Sequence, residues 1–172
     1  IRGDVFQTFY VNGKVIPFWR DKEKRIKELV RAGEEKYPEF EEKLLKFKGL
    51  LYKKFMFVSR PPTKDEIREE AEKLGLGEFI DSHAKKLLSE YISEEYHYFF
   101  IYPGMERTSA YVIAYFFSPD WALVEGGMGR VAEKVVEFGK RYGVEYRVNS
   151  KVERIIVKDE KVKGVIVNGK DC

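Results

Sequence analysis

A glycine-rich turn, Gly126-Gly127-Met128-Gly129, is the part of the chain best suited to bind a ligand, and we call it the glycine loop. An apolar stretch precedes it and helically spaced apolar residues follow it, which predicts that the loop leads into a helix. Glycines allow a ligand to approach the backbone closely, and the N–H groups at a helix N-terminus favour a phosphate or a carbonyl oxygen. The alternative is a structural turn without a ligand, because such turns before helices are common.

Aromatic residues are concentrated between residues 96 and 121, which contain 10 of the 26 in the chain. One hypothesis is that they line a channel for a hydrophobic substrate or form a face that contacts a membrane. Tyr115 and Phe116 are then candidate substrate-facing side chains. The alternative is an ordinary hydrophobic core, since aromatic side chains supply much of the apolar area that cores bury.

Metal binding and nucleophilic catalysis are not predicted. The two histidines, His83 and His97, have no Asp, Glu or Cys at the spacing of metal ligands. The motifs of serine hydrolases, zinc proteases and P-loop enzymes do not occur. No catalytic acid, base or nucleophile is therefore assigned.

Composition predicts a globular protein that does not bind nucleic acid. Of the 172 residues, 44% are hydrophobic and 35% are charged, and the net charge is only +3. The charge runs 20–27 and 34–54 are predicted to be solvated helix faces. Cys172 is the only cysteine, which excludes a disulfide framework and favours a cytoplasmic location, with contact to a membrane surface as a further expectation. The scarcity of Asn and Gln beside many Lys and Glu resembles the composition of thermophile proteins.

The element pattern predicts an α+β fold. Asn12-Gly13 between two β-rich runs predicts a hairpin, and Thr63 to Glu66 has the capping-box pattern that begins a helix. Charged helices are predicted over residues 21–37, from residue 38 to Val58 and from residue 63 to 74. Three further helices are predicted: one after a cap at Asp81 or Ser82, one from residue 108 or 109 to 117, and one from the glycine loop to Gly143. Strands are predicted at 144–148, 152–157 and 162–167.

The order of motifs after residue 119 resembles a segment of phytoene desaturase and related flavin amine oxidase-like enzymes. The glycine loop and its helix are followed by Gly143-Val144, Asn149-x-x-Val152-x-x-Ile155 and Val162-x-Gly164-Val165. In that family, this segment returns the chain from the substrate domain to the FAD domain. The Asn12-Gly13 hairpin is similar to the strand pair near the start of the family's substrate domain, so the resemblance spans nearly the whole chain.

The resemblance implies roles for particular residues in FAD binding. The backbone at Val152 would contact the adenosine part of FAD, and Gly126, Gly127, Met128 and Gly129 would lie toward the flavin and the substrate cavity. Arg130 would be a substrate-facing or flavin-facing side chain. The family's G-x-G-x-x-G unit and its C-terminal Gly-Asp segment do not occur here, so this chain alone is not expected to bind FAD.

Together these features predict an internal fragment of a phytoene dehydrogenase-related, FAD-dependent oxidoreductase that acts on a hydrophobic, isoprenoid-type substrate. Residues 1–122 are predicted to be a substrate-binding domain of helices and sheet, and residues 123–172 part of the FAD-binding domain. The expected partners are the substrate, the rest of the FAD domain and further copies of the chain through unpaired strands. One alternative function is a non-catalytic module that binds lipid, a membrane or a partner protein, and a second alternative is a purely structural domain.

Overall fold

The structure is a computed structural model that describes residues 3–171, so Cys172 lies outside the described residues. The predicted α+β class is confirmed, since the chain contains helices and two small antiparallel sheets. The described chain divides into two compact units, residues 3–122 and residues 123–171.

The first unit is a two-stranded hairpin followed by a set of helices. Its elements are β1 (Val5–Val11), β2 (Lys14–Trp19), α1 (Lys22–Arg31), α2 (Tyr37–Leu50), a π-helical turn (Leu51–Phe55), α3 (Lys64–Glu72), α4 (Glu78–Asp81), α5 (Ala84–Tyr91), a 3₁₀ helix (Glu94–Phe99) and α6 (Tyr111–Phe116). The hairpin turn is confirmed, because Asn12 (φ 49°) and Gly13 (φ 78°) both adopt the positive φ that a type I′ turn needs. The capping box is also confirmed, with Thr63 and Glu66 bonded to each other's backbone N–H groups.

The core of the first unit combines aliphatic side chains with a cluster of aromatic rings. Phe18 of β2 contacts Phe99, Phe100 and Phe117 edge-on, with centroid distances of 5.6, 5.8 and 6.0 Å. Such edge-to-face pairs stabilise a core by about 0.5–1.5 kcal/mol each beyond the area that they bury. The ten aromatic residues between 96 and 121 divide by exposure into three groups, of which Phe116 alone is half-buried. Four are buried, as the core interpretation predicts, whereas others are exposed: Tyr98, Tyr102, Tyr111, Tyr115 and Trp121.

Three charged side chains that were predicted to be solvated are buried instead, and one of them, Glu34, accepts a hydrogen bond from the backbone N–H of Ser93 at 2.8 Å. Arg25 of α1 is 3% exposed and Glu41 of α2 is fully buried, and the guanidinium donates two hydrogen bonds to the carboxylate, at 2.5 and 3.2 Å. Arg25 also donates to the carbonyl oxygens of Trp19 and Arg20, at 2.6 and 2.8 Å, where β2 ends. The prediction of solvated faces is thus wrong at these three positions, because each buried charge has a hydrogen-bonding partner inside the protein.

Tyr37 lies beside this ion pair with a buried hydroxyl. Among the described residues that hydroxyl has no hydrogen-bond partner. Burial raises the pKa of Tyr37 well above its usual value, and the nearby Glu41 carboxylate raises it further. Burial is the largest single effect on the pKa of Arg25 and by itself would lower it, but the hydrogen bonds to Glu41 and the electrostatic interactions with Tyr37 and Glu41 together raise the pKa. The arginine therefore remains charged inside the core.

Several predicted helix boundaries are wrong. The first charged helix ends at Arg31, ahead of Gly33, whose φ is 108°. The second passes into the π-helical turn and ends at Phe55, short of the predicted Val58. His83, rather than Asp81 or Ser82, precedes α5, because the preceding residues form the short helix α4.

The second unit is one helix followed by a small antiparallel sheet. Its elements are α7 (Gly129–Arg141), β3 (Val152–Lys158), β4 (Lys161–Val167) and β5 (Lys170–Asp171), and the strand order is β3-β4-β5. The predicted strand at 144–148 is wrong. This segment instead folds back on the end of α7, where the N–H of Val144 donates to the carbonyl of Gly139 at 3.0 Å and Tyr146 lies against the same glycine.

Candidate functional site

The glycine loop makes a tight turn directly before α7. Gly126 and Gly127 have φ values of 81° and 89°, a region that other residues rarely adopt. The N–H of Gly127 donates to the carbonyl of Val124 at 2.9 Å, which closes the turn. Met128 occupies the N-cap position of α7, and no side chain caps the helix. The N–H groups of Arg130 and Val131 already donate to the carbonyl oxygens of Gly127 and Met128, at 3.1 and 3.0 Å, so the first turn offers a ligand its partial positive charge and only its remaining N–H groups.

The two central glycines of the loop differ in their surroundings. A Cβ atom on Gly126 would lie 3.0 Å from the Cγ atom of Arg130, whereas a Cβ atom on Gly127 would meet nothing within 4 Å. Gly126 is therefore needed both for its φ and for the closeness of the Arg130 side chain. Gly127 is needed only for its φ, and the space beside it is open to a ligand.

An apolar groove lies beside the glycine loop. It has a volume of about 610 Å³ and is lined by Val124, Glu125, Arg130, Val131, Lys134, Val135 and Phe138. The apolar side chains come from one face of α7, and Val135 and Phe138 are 62% and 59% exposed. Lys134 pairs with Glu137 and Arg130 with Glu133, each at 2.7 Å. The groove is therefore formed mainly by an uncovered apolar face of α7, and the two cations that line it are paired with glutamates of the same helix.

No side chain in residues 123–170 is buried. α7 contributes no buried residue, and large apolar side chains of β3 and β4, such as Ile155, Val157 and Val162, are also exposed. A helix with one apolar face is stable in a protein mainly because that face packs on a core. The second unit thus has the secondary structure of a domain without a core of its own.

Val152, the candidate adenosine contact, is the first residue of β3. It pairs with Val167 of β4, and a bulge follows between Val152 and Arg154. Val152 and the glycine loop belong to the same unit. Since the bulge breaks the regular pairing at the start of the strand, part of the backbone here is left free of the ladder, as a backbone contact to a ligand would need.

Tyr115 and Phe116, the candidate substrate-facing residues, lie on α6 in the first unit. The ring of Phe116 packs edge-on against Tyr115 at 5.2 Å and against Tyr102 at 5.1 Å. Tyr115 is exposed and Phe116 is half-buried. The structure therefore brings these two residues together in a small surface cluster, whereas Arg130, the third candidate, belongs to the second unit.

His97 is buried and supports the local fold. One of its ring nitrogens, Nε2, lies 3.1 Å from the carbonyl oxygen of Ile92, and the pair fixes the 3₁₀ helix against the end of α5. In the part of the chain that the structure describes, no cluster of His, Cys, Asp and Glu has a geometry for holding a metal ion. Among residues 3–171, no helix has the length and apolar character needed to cross a membrane.

Sequence reasoning missed the buried cluster of Arg25, Tyr37 and Glu41. The pattern did contain an indication of it. Tyr37, Phe40, Glu41 and Leu44 share one face of α2, and all four are buried. A charge on an otherwise apolar helical face predicts a buried partner, because an unpaired buried charge is strongly destabilising.

Comparison with known proteins identifies no relative: no family model matches the chain, and no curated protein matches it. The resemblance to flavin-dependent desaturases therefore stays a prediction from the motifs of the sequence.

Proposed function

We propose that this chain is part of an FAD-dependent oxidoreductase that oxidises or desaturates a hydrophobic, isoprenoid-type substrate. Residues 3–122 would form its substrate-side domain and residues 123–171 one edge of its FAD domain. The observation that carries the proposal is the second unit, in which a glycine turn leads into an uncapped helix whose apolar face is bare. Such a unit is what remains of a larger α/β domain when its central sheet is supplied by other parts of the whole protein, which we call the parent.

The roles proposed for individual residues follow from their positions. The glycine loop would face the flavin, with the open side of Gly127 admitting the ring system and the first turn of α7 stabilising a developing negative charge. The backbone at Val152 would hold the adenosine end. The flavin, when bound, supplies hydride-accepting chemistry, while residues of the chain bind and orient it. Arg130 would contribute its charge at the entrance of the groove.

A second candidate function is a non-catalytic module that binds lipid, a membrane surface or a partner protein. It is favoured by the exposed aromatic side chains around α6: Tyr102, Tyr111, Tyr115 and Trp121. Both candidates are proposed to act in the cytoplasm, which agrees with the single cysteine of the chain.

Replacing Gly127 by valine in the parent is expected to weaken FAD binding by about tenfold or more, equivalent to about 1.4 kcal/mol. A β-branched residue is strained at a φ of 89° and its side chain would occupy the open side of the loop. The measurement is the flavin-to-protein ratio after dialysis against a series of FAD concentrations.

Gly143→Val is the matched control for this experiment. Gly143 has a similar φ of 77°, and a Cβ atom added there would also meet nothing within 4 Å, but it lies at the opposite end of α7. Backbone strain should therefore be comparable in the two variants, and only Gly127→Val should lose flavin. If the two variants contain the same amount of flavin, whether both keep it or both lose it, the glycine loop does not belong to the proposed site.

A further inference from the structure

Phe57 has a conformation that reduces stability and a side chain that contributes no packing. Its φ is 59°, in the left-handed region that is unfavourable for a bulky residue, and its side chain is 96% exposed. Strained residues of this kind persist mainly at functional positions. The fold of the first unit therefore does not explain why an exposed aromatic residue occupies this strained position.

The chain around Phe57 combines exposed apolar side chains with positive charge. We call residues 51–64 the basic loop; it includes the π-helical turn and the residues up to the start of α3. Tyr52 and Val58 of this loop are also exposed. The loop contains Lys53, Lys54, Arg60 and Lys64 but no Asp or Glu.

The charges of the basic loop are partly paired with α3. Lys54 forms an ion pair with Glu70, and Arg60 forms one with Glu66. Lys53 and Lys64 are exposed and form no ion pair with any described residue. The two pairs thus hold the loop against α3, and the two remaining cations are available to an external anion.

We propose that the basic loop docks on an anionic lipid bilayer, with Phe57 inserted at the boundary between headgroups and acyl chains. Lys53 and Lys64 then lie at the level of the lipid phosphates. Apolar side chains that enter the interface, surrounded by cations, are the general arrangement of surface-bound membrane proteins. The loop combines its cations with exposed apolar side chains, Tyr52, Phe57 and Val58, which fits a bilayer interface better than the phosphate backbone of a nucleic acid. This inference does not depend on flavin binding.

The test is co-sedimentation of this chain with vesicles of phosphatidylcholine, with and without phosphatidylglycerol. Binding is expected only to the anionic vesicles, and Phe57→Gly should weaken it by about tenfold or more, because a buried Phe side chain is lost. The thermal midpoint of Phe57→Gly should not fall, since glycine adopts positive φ without strain. Tyr10→Ser, at another exposed aromatic residue of the first unit, should bind as the unchanged chain does.

Charge variants distinguish the effect of the loop's own cations on vesicle binding from the effect of the molecule's net charge. Lys53→Glu should weaken binding to anionic vesicles more than Lys14→Glu, although both make the same change in net charge. The proposal is overturned if Phe57→Gly binds vesicles as well as the unchanged chain. It is also overturned if Phe138→Ser on α7, rather than a loop variant, abolishes binding, or if the chain binds a single-stranded oligonucleotide through Lys53 and no vesicle at all.

Discussion

Arg25→Met is expected to lower the free energy of unfolding of the first unit by about 3–5 kcal/mol. The substitution keeps a long unbranched side chain but removes the positive charge, which leaves the fully buried Glu41 carboxylate without its partner. It also leaves the carbonyl oxygens of Trp19 and Arg20 without the guanidinium. Urea denaturation followed by far-ultraviolet circular dichroism measures the loss.

Two controls define the origin of this loss. Lys85→Met removes the cation of the exposed pair with Glu94 and should cost less than about 1 kcal/mol, as exposed ion pairs do. The double variant Arg25→Met, Glu41→Leu should recover part of the loss, because it removes both charges together. If Arg25→Met costs no more than Lys85→Met, the buried pair has been wrongly identified as a determinant of stability.

The amides of α7 and of the β3–β4 hairpin are expected to exchange with solvent far faster than those of α2. The expected difference in opening free energy is about 3 kcal/mol or more, since residues 123–170 have no buried side chain whereas α2 contributes six buried residues. A hairpin and a helix without a core between them are marginally stable in water. Hydrogen exchange followed by mass spectrometry on peptides from both units measures the difference.

Self-association needs a separate control in that experiment. Among the residues that the structure describes, β3 pairs only with β4, which leaves its other edge available to a second chain. The exchange is therefore measured at two protein concentrations, and protection that rises with concentration reports association. Protection of α7 equal to that of α2 at the lower concentration would mean that the second unit is complete by itself and needs no further part of an FAD domain.

Local features were the most predictable part of the fold. The Asn12-Gly13 turn and the Thr63–Glu66 capping box are both present, because each depends on a few neighbouring residues with strong conformational preferences. The pKa of the Glu66 carboxyl in this capping box is lowered to about 2. The largest cause is its hydrogen bond from the Arg60 side chain, and the second is its hydrogen bond from the backbone N–H of Thr63. Short-range patterns of this kind are specified without reference to the rest of the chain.

Features that depend on distant parts of the chain were not predictable in the same way. The burial of Glu41 depends on Arg25, which lies on another helix, and hydrophobic periodicity does not identify such a partner. The strand expected at 144–148 fails for a related reason. β-branched and aromatic residues favour a strand, but Tyr146 packs on Gly139 instead, and tertiary packing overrides local propensity.

The candidate site also combines features that were predictable from the sequence with features that were not. The turn and the helix after it were predictable, since glycines followed by helical periodicity specify both. The exposure of the apolar face of α7 was not, because a pattern shows that a helix has such a face and not what covers it. The strained backbone at Phe57 also had no counterpart in the sequence, since an aromatic residue gives no indication of positive φ.

The absorbance spectrum of the purified parent, compared with that of this chain alone, tests the proposed flavoenzyme most directly. We expect the flavin bands in the parent and none in the chain of residues 1–172, which lacks the G-x-G-x-x-G unit. A parent that contains no flavin, even after incubation with FAD, would contradict the assignment to a flavin-dependent oxidoreductase.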